Sequence, residues 1–336
     1  MQRGDYLIRK IFFALATLVV VIVFNFFLFR ILPGDPIKAI VRSPRLTREA
    51  KEKLRVDFGL DKPVFFDAER LREGDVAGAF DTQFTAYVRA LLRGNLGISF
   101  RSRRDVAEVL AERVWRTVVL VAAGETLALV FGMALGLVSA WRRGTRLDMI
   151  ILLWALFSWG LPTFFLGIIL LILGRGHLPV GGMVIPGLKP EDGWTYWADV
   201  GRHLILPTLT MAIVYTSSYV MIMRSSVVEV LSEDYILTAK AKGLSTLQIM
   251  RDHALKNAML PMVTMIALNL GYTVGGAIQV ETVFSWPGIG RLMYDAVMKR
   301  DYPVLQGTFL LLAVSVVAAN LLADILYSVL DPRVKM

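Results

Sequence analysis

The chain has 336 residues, of which 55% are hydrophobic and 19% charged, and it carries a formal net charge of +9 at pH 7. Soluble domains average about 25% charged residues with a lower apolar share, so this composition excludes an ordinary soluble domain and indicates a membrane protein. No cysteine is present, which excludes disulfides and thiolate metal centres, and the cations gather beside apolar runs, a pattern of membrane topology rather than of nucleic-acid binding.

In chain order, the first apolar run is IFFALATLVVVIVFNFFLF, residues 11–29, behind Arg3, Arg9 and Lys10. It exceeds the roughly 7–15-residue core of a secretory signal and no A-x-A site follows, so it is expected to stay as a membrane span. The segment RILPGDP ends it, with Pro33 and Pro36 stopping the helix. Further runs also reach the ~20 apolar residues needed to cross roughly 30 Å of hydrocarbon. The six expected spans are 11–32, 117–140, 149–174, 204–224, 258–283 and 305–330. They predict an all-α polytopic membrane protein in three parts: 1–32, a cytoplasmic N-terminus and first span; 33–116, a long extracytoplasmic loop region; and 117–336, a five-helix core containing the connection 225–257.

Orientation follows from the connections. WRRGTRLD (141–148) holds three arginines, 225–257 holds Lys240, Lys242, Arg251 and Lys256, and the tail holds Arg333 and Lys335. With six spans these cations and the N-terminal ones share one side, which the positive-inside rule makes cytoplasmic, both termini included. Region 33–116 faces the other side, where TREAKEKLRVDFGL (47–60) and FTAYVRALL (84–92) are expected to form amphipathic helices. Trp194, Trp197 and Trp286 stand near outer span ends and suit an interfacial aromatic belt.

Within the spans, Asn269, Tyr272, Thr273, Gly276 and Gln279 share one face of the fifth, Thr210, Ser217 and Ser218 add hydroxyls in the fourth, and Ser158 and Thr163 flank Pro162 in the third. They are candidates to line a translocation path; the competing reading is helix packing, for which Gly271 and Gly275 make a small-xxx-small pair. Glu125 and Asp324 are the carboxylates most embedded in apolar sequence. Each costs about 2.5–3.5 kcal/mol at a span centre, so each serves a proton relay or is satisfied by a structural partner. Asp324 has Asn320 and Tyr327 about one turn away on either side. Pro162 and Pro207 are read as kinks. Enzymatic chemistry finds no support: His177, His203 and His253 are too dispersed for a metal pair, and no G-x-x-x-x-G-K-[ST] loop is present to bind ATP.

The most informative stretch is SEDYILTAKAKGLSTLQIMRDHALKNAMLP, residues 232–261. Ile236, Ala239, Gly243, Leu247, Met250, Ala254 and Ala258 recur at helical spacing, opposite Lys240, Lys242, Gln248, Arg251 and Asp252. Gly243 suits a left-handed position ending one short helix, and Ser245 with Gln248 matches a capping box starting the next. The expectation is a helix–turn–helix elbow. It either lies on lipid headgroups or meets a protein partner. Small residues at 239, 241 and 243 favour the partner, since a lipid-surface helix needs large apolar anchors.

This elbow resembles the cytoplasmic EAA loop of permease subunits in binding-protein-dependent ABC importers. Leu237, Thr238 and Ala239 stand at E-A-A, Gly243 matches its glycine, and His253, Ala254, Leu255 and Lys256 stand at I-x-L-P, as in the dipeptide/oligopeptide/nickel branch. RILPGDP, GNLGISF (94–100), RLDMIILLWALFSWGLPTFFLG (146–167), ETVFSWPGIGRLMYDAVMKRDYPVLQG (281–307) and NLLADILYSVLDPR (320–333) are similar to the same branch, while 66–84 looks like an insertion. The resemblance implies a type I ABC importer permease fold in the cell inner membrane. It implies as partners a homologous permease subunit, two cytoplasmic ATPases that hold ATP and Mg, an extracytoplasmic solute-binding protein and the lipid bilayer, with no cofactor in this chain. It assigns coupling to Ala239, Ala241, Gly243, Leu244, Leu247, His253 and Leu255, with Ala239, Leu244 and Leu247 on the docking face. Arg142, Arg143 and Gly144 would make a second, smaller contact. The implied cargo is a dipeptide or oligopeptide, with nickel, glutathione or oligosaccharide as alternatives. A proton-coupled secondary transporter using Glu125 or Asp324 is the runner-up, and a membrane anchor without flux the third reading.

Overall fold

The computed structural model describes residues 3–31, 61–273 and 278–330. The described residues are helical throughout, apart from turns and one isolated bridge between Ile98 and Asp105. They fall into two compact units, one of residues 1–14, 114–291 and 315–336, the other of 15–113 and 292–314.

Helix α1 is Arg3–Ile31; α2 (Ala68–Arg72), α3 (Val76–Ala79) and α4 (Gln83–Leu92) follow before the long α5 (Val106–Trp141). Next come α6 (Arg146–Gly160), α7 (Thr163–Gly174), α8 (Trp194–Val230), α9 (Asp234–Ala241) and the single turn α10 (Thr246–Gln248). A wide π-type turn, Ile249–Ala254, leads into α11 (Leu255–Thr273); α12 (Ile278–Val283), α13 (Ile289–Lys299) and α14 (Tyr302–Leu330) complete the chain.

Four of these helices, α1, α5, α8 and α14, are each long and apolar enough to cross a membrane. They contain the expected first, second, fourth and sixth spans. Two of them outrun the expectation by more than ten residues. α5 starts at Val106 rather than 117, and α8 covers 194–230 rather than 204–224. At 1.5 Å per residue each is about 55 Å long, well beyond a ~30 Å hydrocarbon core, and hydropathy alone does not see the polar turns added at the ends. The third span, expected as one helix over 149–174, is instead α6 and α7 meeting at 101°. The cause is local: the residue before a proline is pushed out of the helical region, and Leu161 sits at φ −78, ψ 125 ahead of Pro162. Residues 274–277, inside the expected fifth span, lie outside the described residues, as does TREAKEKLRVDFGL.

In the larger unit α5 packs on α8 through a stripe of small residues. Gly124, Ala128, Gly132 and Gly136 recur every fourth position, and so do Met211, Tyr215, Tyr219 and Met223 opposite them. A Cβ added at Gly124 would stand 2.8 Å from the Met211 Cβ, and one at Gly136 2.7 Å from the Met223 Cβ; at Gly132 it would overlap the Tyr219 Cβ. Small residues that let backbones approach are how helices associate where no hydrophobic driving force separates lipid from side chain. The sequence reading looked for this stripe at Gly271 and Gly275, which lie outside the described side chains and residues.

In the smaller unit, the predicted amphipathic helix is α4, seated by Phe84 and Tyr87 on the buried Phe26, with ring centroids at 5.2 and 5.4 Å. The segment 66–84 forms α2 and α3, each capped by an aspartate, Asp67 and Asp75. Two motifs distant in sequence meet here. Asp301 accepts from the Ser99 hydroxyl at 2.6 Å and from the Phe100 and Arg101 amides at 3.0 and 3.2 Å, which ties GNLGISF to the RDYP turn.

Candidate coupling site and transmembrane core

The elbow forms as the sequence predicts, and its chemistry explains its rigidity. α9 ends in a Schellman turn: the Gly243 amide donates to the Lys240 carbonyl at 2.9 Å and the Leu244 amide to the Ala239 carbonyl at 3.3 Å. Gly243 takes φ +76, open to glycine at no steric cost. The Ser245 amide then donates to Gln248 Oε1 at 2.8 Å and the Gln248 amide to Ser245 Oγ at 3.4 Å, the reciprocal capping box that starts α10. Inside the elbow Ile236, Ala239 and Ile249 are buried, with Val230, Leu231 and Leu244 packed against them.

Placement of the assigned residues follows from this small core. Ala239 is turned inward and cannot itself touch a partner; Leu244 is half-buried, and so are His253 and Leu255. Ala241, Gly243 and Leu247 are exposed. Leu237, which stands at E-A-A but was not assigned to coupling, is 69% exposed and Leu247 62%. The single-helix spacing had put Gly243 and Leu247 on one face with Ile236, Ala239 and Met250, which are buried. The reason for the correction is the turn itself: a left-handed residue resets the helical phase, so Ile249 rather than Leu247 points inward. Around the apolar pair, Lys240, Lys242 and Arg251 are exposed, and Arg251 holds the neighbouring Asp252 carboxyl below its ordinary range through a 2.7 Å bond.

The turn 141–145, the proposed second contact, is exposed and is anchored from below. Asp148, almost fully buried, accepts from Arg224 Nε at 2.8 Å and Nη2 at 2.9 Å, from the Ser139 hydroxyl at 2.5 Å and from the Gly144 amide at 2.9 Å. A forked guanidinium on a carboxylate is geometrically demanding as well as strong. Arg224 lies one and a half turns before the end of α8, so the pair ties the 141–145 turn to the helix that enters the elbow. The sequence carried the two partners as separate span-end residues, and nothing in the linear pattern paired them.

In the apolar core, α5, α8 and α11 meet at a polar node. The Tyr219 hydroxyl donates to Glu125 Oε2 at 2.8 Å and accepts from Asn269 Nδ2 at 2.7 Å. Gln279 is exposed. Ser217 is buried and donates to the Val214 carbonyl of its own helix at 2.6 Å, and Thr210 likewise serves the Leu206 carbonyl. Neither faces a path, because both are covered within the chain and spend their hydroxyls on helix backbone. The Tyr272 and Thr273 side chains and Gly276 lie outside what the structure describes. Asp324 is satisfied by Lys10 of α1, Nζ to Oδ2 at 2.9 Å.

The corner after α12 is the most tightly built part of this unit. Glu281, fully buried, accepts from the Thr117 hydroxyl at 2.7 Å and the Arg291 amide at 3.0 Å, while Thr117 Oγ1 accepts from the Ile289 amide at 2.8 Å. Gly288 passes so close that a Cβ would run into the Glu281 carboxylate. Trp286, expected in an interfacial belt, is fully buried, its indole donating to the Arg116 carbonyl at 2.9 Å. Trp194 and Trp197 are exposed, as a belt requires. Among the described residues no cluster of histidine, aspartate and glutamate could hold a metal ion.

Several long apolar helices joined by a capped, exposed elbow define a multi-pass membrane protein. Comparison with known proteins narrows this. Residues 132–336 match the model for the binding-protein-dependent transport system inner membrane component, and residues 3–121 match that family's N-terminal membrane component. The chain is 35% identical over 333 residues to the glutathione transport system permease protein GsiC of Escherichia coli, covering 98% of this chain and 99% of the relative. It is 34% identical over 350 residues to the dipeptide transport system permease protein DppB of the same species, covering 98% of each. A chain of the MetNI methionine ABC transporter in its inward-facing conformations superposes at a TM-score of 0.54 and 16% identity, covering 66% of this chain and 96% of that one, which shows the fold alone. The chain therefore belongs to the family of inner-membrane permease components of binding-protein-dependent ABC importers. Membership implies ATPase and binding-protein partners and places ATP hydrolysis in a separate subunit, which displaces the proton-coupled alternative.

Proposed function

We propose that the chain is the permease subunit through which an ABC importer moves small peptides, coupled to its ATPases by the elbow at 233–257. The observation that carries the reading is the elbow: a turn held at Gly243, an interior closed by Ile236, Ala239 and Ile249, and two exposed leucines, Leu237 and Leu247, on its outside. Exposed leucines on a rigid, partly cationic surface suit a groove on a protein better than water. The 141–145 turn supplies the second contact. Cargo as peptide rests on relatives whose names specify glutathione and dipeptides. The assembly on this reading has a second, homologous permease subunit, two ATPases that bind ATP and Mg, and a solute-binding protein that delivers the cargo. Six spans, with both termini and the elbow cytoplasmic, complete the topology.

The mechanism is alternating access. Closure of the ATPase pair moves the elbow as a lever, and its differential contacts in the two states reorient the helices. The test is affinity purification of the whole complex with Gly243→Val. Nothing lies within 4 Å of a Cβ there, so the substitution strains only the backbone, by roughly 1–2 kcal/mol. The expected outcome is normal chain level with ATPase lost from the complex or hydrolysing without uptake. Wild-type uptake in that variant refutes the coupling role.

A further inference from the structure

We propose that Glu125 is a transit site for the ammonium group of the cargo; this rests on the peptide reading above. Asp148 is matched to a cation by the Arg224 fork and Asp324 by Lys10, whereas Glu281 and Asp301 are sealed inside the chain and accept from hydroxyl and backbone amide donors. Glu125 is different. Its neighbours are the neutral donors Tyr219 and Asn269, and among the described residues no cation pairs with it. A carboxylate in an apolar segment with neutral donors alone is held in place without being neutralised, and such a residue marks an ion or substrate route by default.

Three features make the missing charge a ligand's. Glu125 is half-buried rather than sealed in, so a passing group can reach it. Asn269 reaches it from α11, within the expected fifth span, through the Tyr219 hydroxyl. Tyr219 brings an aromatic side chain to the carboxylate, its hydroxyl 2.8 Å from Oε2, and a ring beside an anion completes a setting for a cation. The Tyr219 hydroxyl, by donating to Oε2 and accepting from Asn269, sets the orientation of the node and leaves the carboxylate's charge for the traveller. The chemistry that fits is a primary ammonium, from a peptide amino terminus or a lysine side chain. A single modest contact of this kind suits passage, with tight capture left to the binding protein.

The test uses the whole complex in proteoliposomes with saturating binding protein. Glu125→Gln keeps an acceptor for Tyr219 and removes the charge; it should lower the maximal uptake rate roughly tenfold or more, as loss of one partner of a desolvated charge pair does, with half-saturation unchanged. Glu125→Asp, which keeps the charge, should lose clearly less rate than Glu125→Gln, and Tyr219→Phe, which removes one neutral hydrogen bond and keeps the charge, should likewise be the milder change. An N-acetylated peptide, with and without a lysine, tells an amino-terminal ammonium from a side-chain one. Wild-type rates in Glu125→Gln overturn the proposal, and so does Tyr219→Phe being equally damaging, which would mean packing. Failure of the wild-type complex to carry any peptide would instead sink the cargo reading. A second measurement is independent of cargo: labelling of Glu125 by a hydrophobic carbodiimide, read by mass spectrometry, should fall with tetramethylammonium, which cannot itself react, and not with equal sodium. Equal labelling in the two salts overturns the proposal whatever the cargo.

Discussion

Two turns of chain bracket α11, and they are built on opposite plans. The elbow before it has a core of three small-to-medium side chains and leaves Leu237 and Leu247 in the open. The 281–291 corner after it buries a carboxylate, a tryptophan and a phenylalanine completely and accounts for the amides of Ile289 and Arg291 with side-chain oxygens. The elbow is held by local caps, each closing within a few residues. The corner is held by contacts between residues 117 and 281–291, far apart in sequence. The difference teaches which part is made to be completed by a partner and which is complete in itself. A surface that moves against another protein must be rigid by itself and apolar outside, whereas a corner that anchors helix ends must be satisfied internally.

The largest expected effect is at the corner. Glu281→Leu leaves the Thr117 hydroxyl and the Arg291 amide without their buried acceptor, at about 1–3 kcal/mol for each such group. Thermal melting of the purified chain in detergent should drop by several degrees and its level in the membrane should fall. A corner that tolerates the leucine would erase the contrast, because it would make the corner as forgiving as a surface.

The latch at Asp148 sharpens the comparison, since it is long-range like the corner but serves an exposed turn like the elbow. Arg224→Gln exposes a nearly buried aspartate to the loss of its fork; Ser139 and the Gly144 amide still hold it, so the expected cost is about 1–2 kcal/mol rather than the ~3–5 kcal/mol of a wholly orphaned buried charge. The coupled readout is uptake per ATP hydrolysed in the whole complex. It should fall if the 141–145 turn and the elbow act together, and a drop in melting temperature with an unchanged ratio would leave the latch a matter of stability alone.

The elbow was legible in the sequence because everything that shapes it is local. Gly243 and the Ser245–Gln248 pair act on neighbours three or four residues away, and both do as their residue types dictate. Its facing was legible at Ile236 and Ala239 and again at Met250, Ala254 and Ala258, and failed at Gly243 and Leu247, where the turn interrupts the helical spacing. The first, second, fourth and sixth spans were legible from apolar length, but the polar first turns of α5 and the right-angled break at Leu161–Pro162 were not, since one is masked by charge and the other looks like an ordinary kink. Long-range partners stayed hidden. Glu125 and Asn269 were each singled out for different reasons, and only the fold brings them to one hydroxyl. Glu281 opens a motif that could be read as family resemblance without disclosing that its role is to hold Thr117 and Arg291.

The smallest effect on the chain itself is expected where the effect on the assembly is greatest. Leu237 and Leu247 are exposed, so Leu237→Ser with Leu247→Ser removes no buried contact, and surface changes of this kind stay within about 0.5 kcal/mol. Melting temperature and membrane level should match wild type, and solubility of the free chain should if anything improve. The ATPase, however, should no longer copurify, because apolar anchors at an interface carry energy that their surroundings do not. The two halves of this outcome separate the explanations. If the double variant keeps its ATPase, the leucines face lipid or water and the docking surface lies elsewhere on the elbow, with Lys240, Lys242 and Arg251 the next residues to reverse in charge. If it loses both its ATPase and its stability, the leucines are packed within the chain and the contrast between elbow and corner fails. Loss of the partner from an unperturbed chain is the result that the exposed face, the closed interior and the capped turn together require.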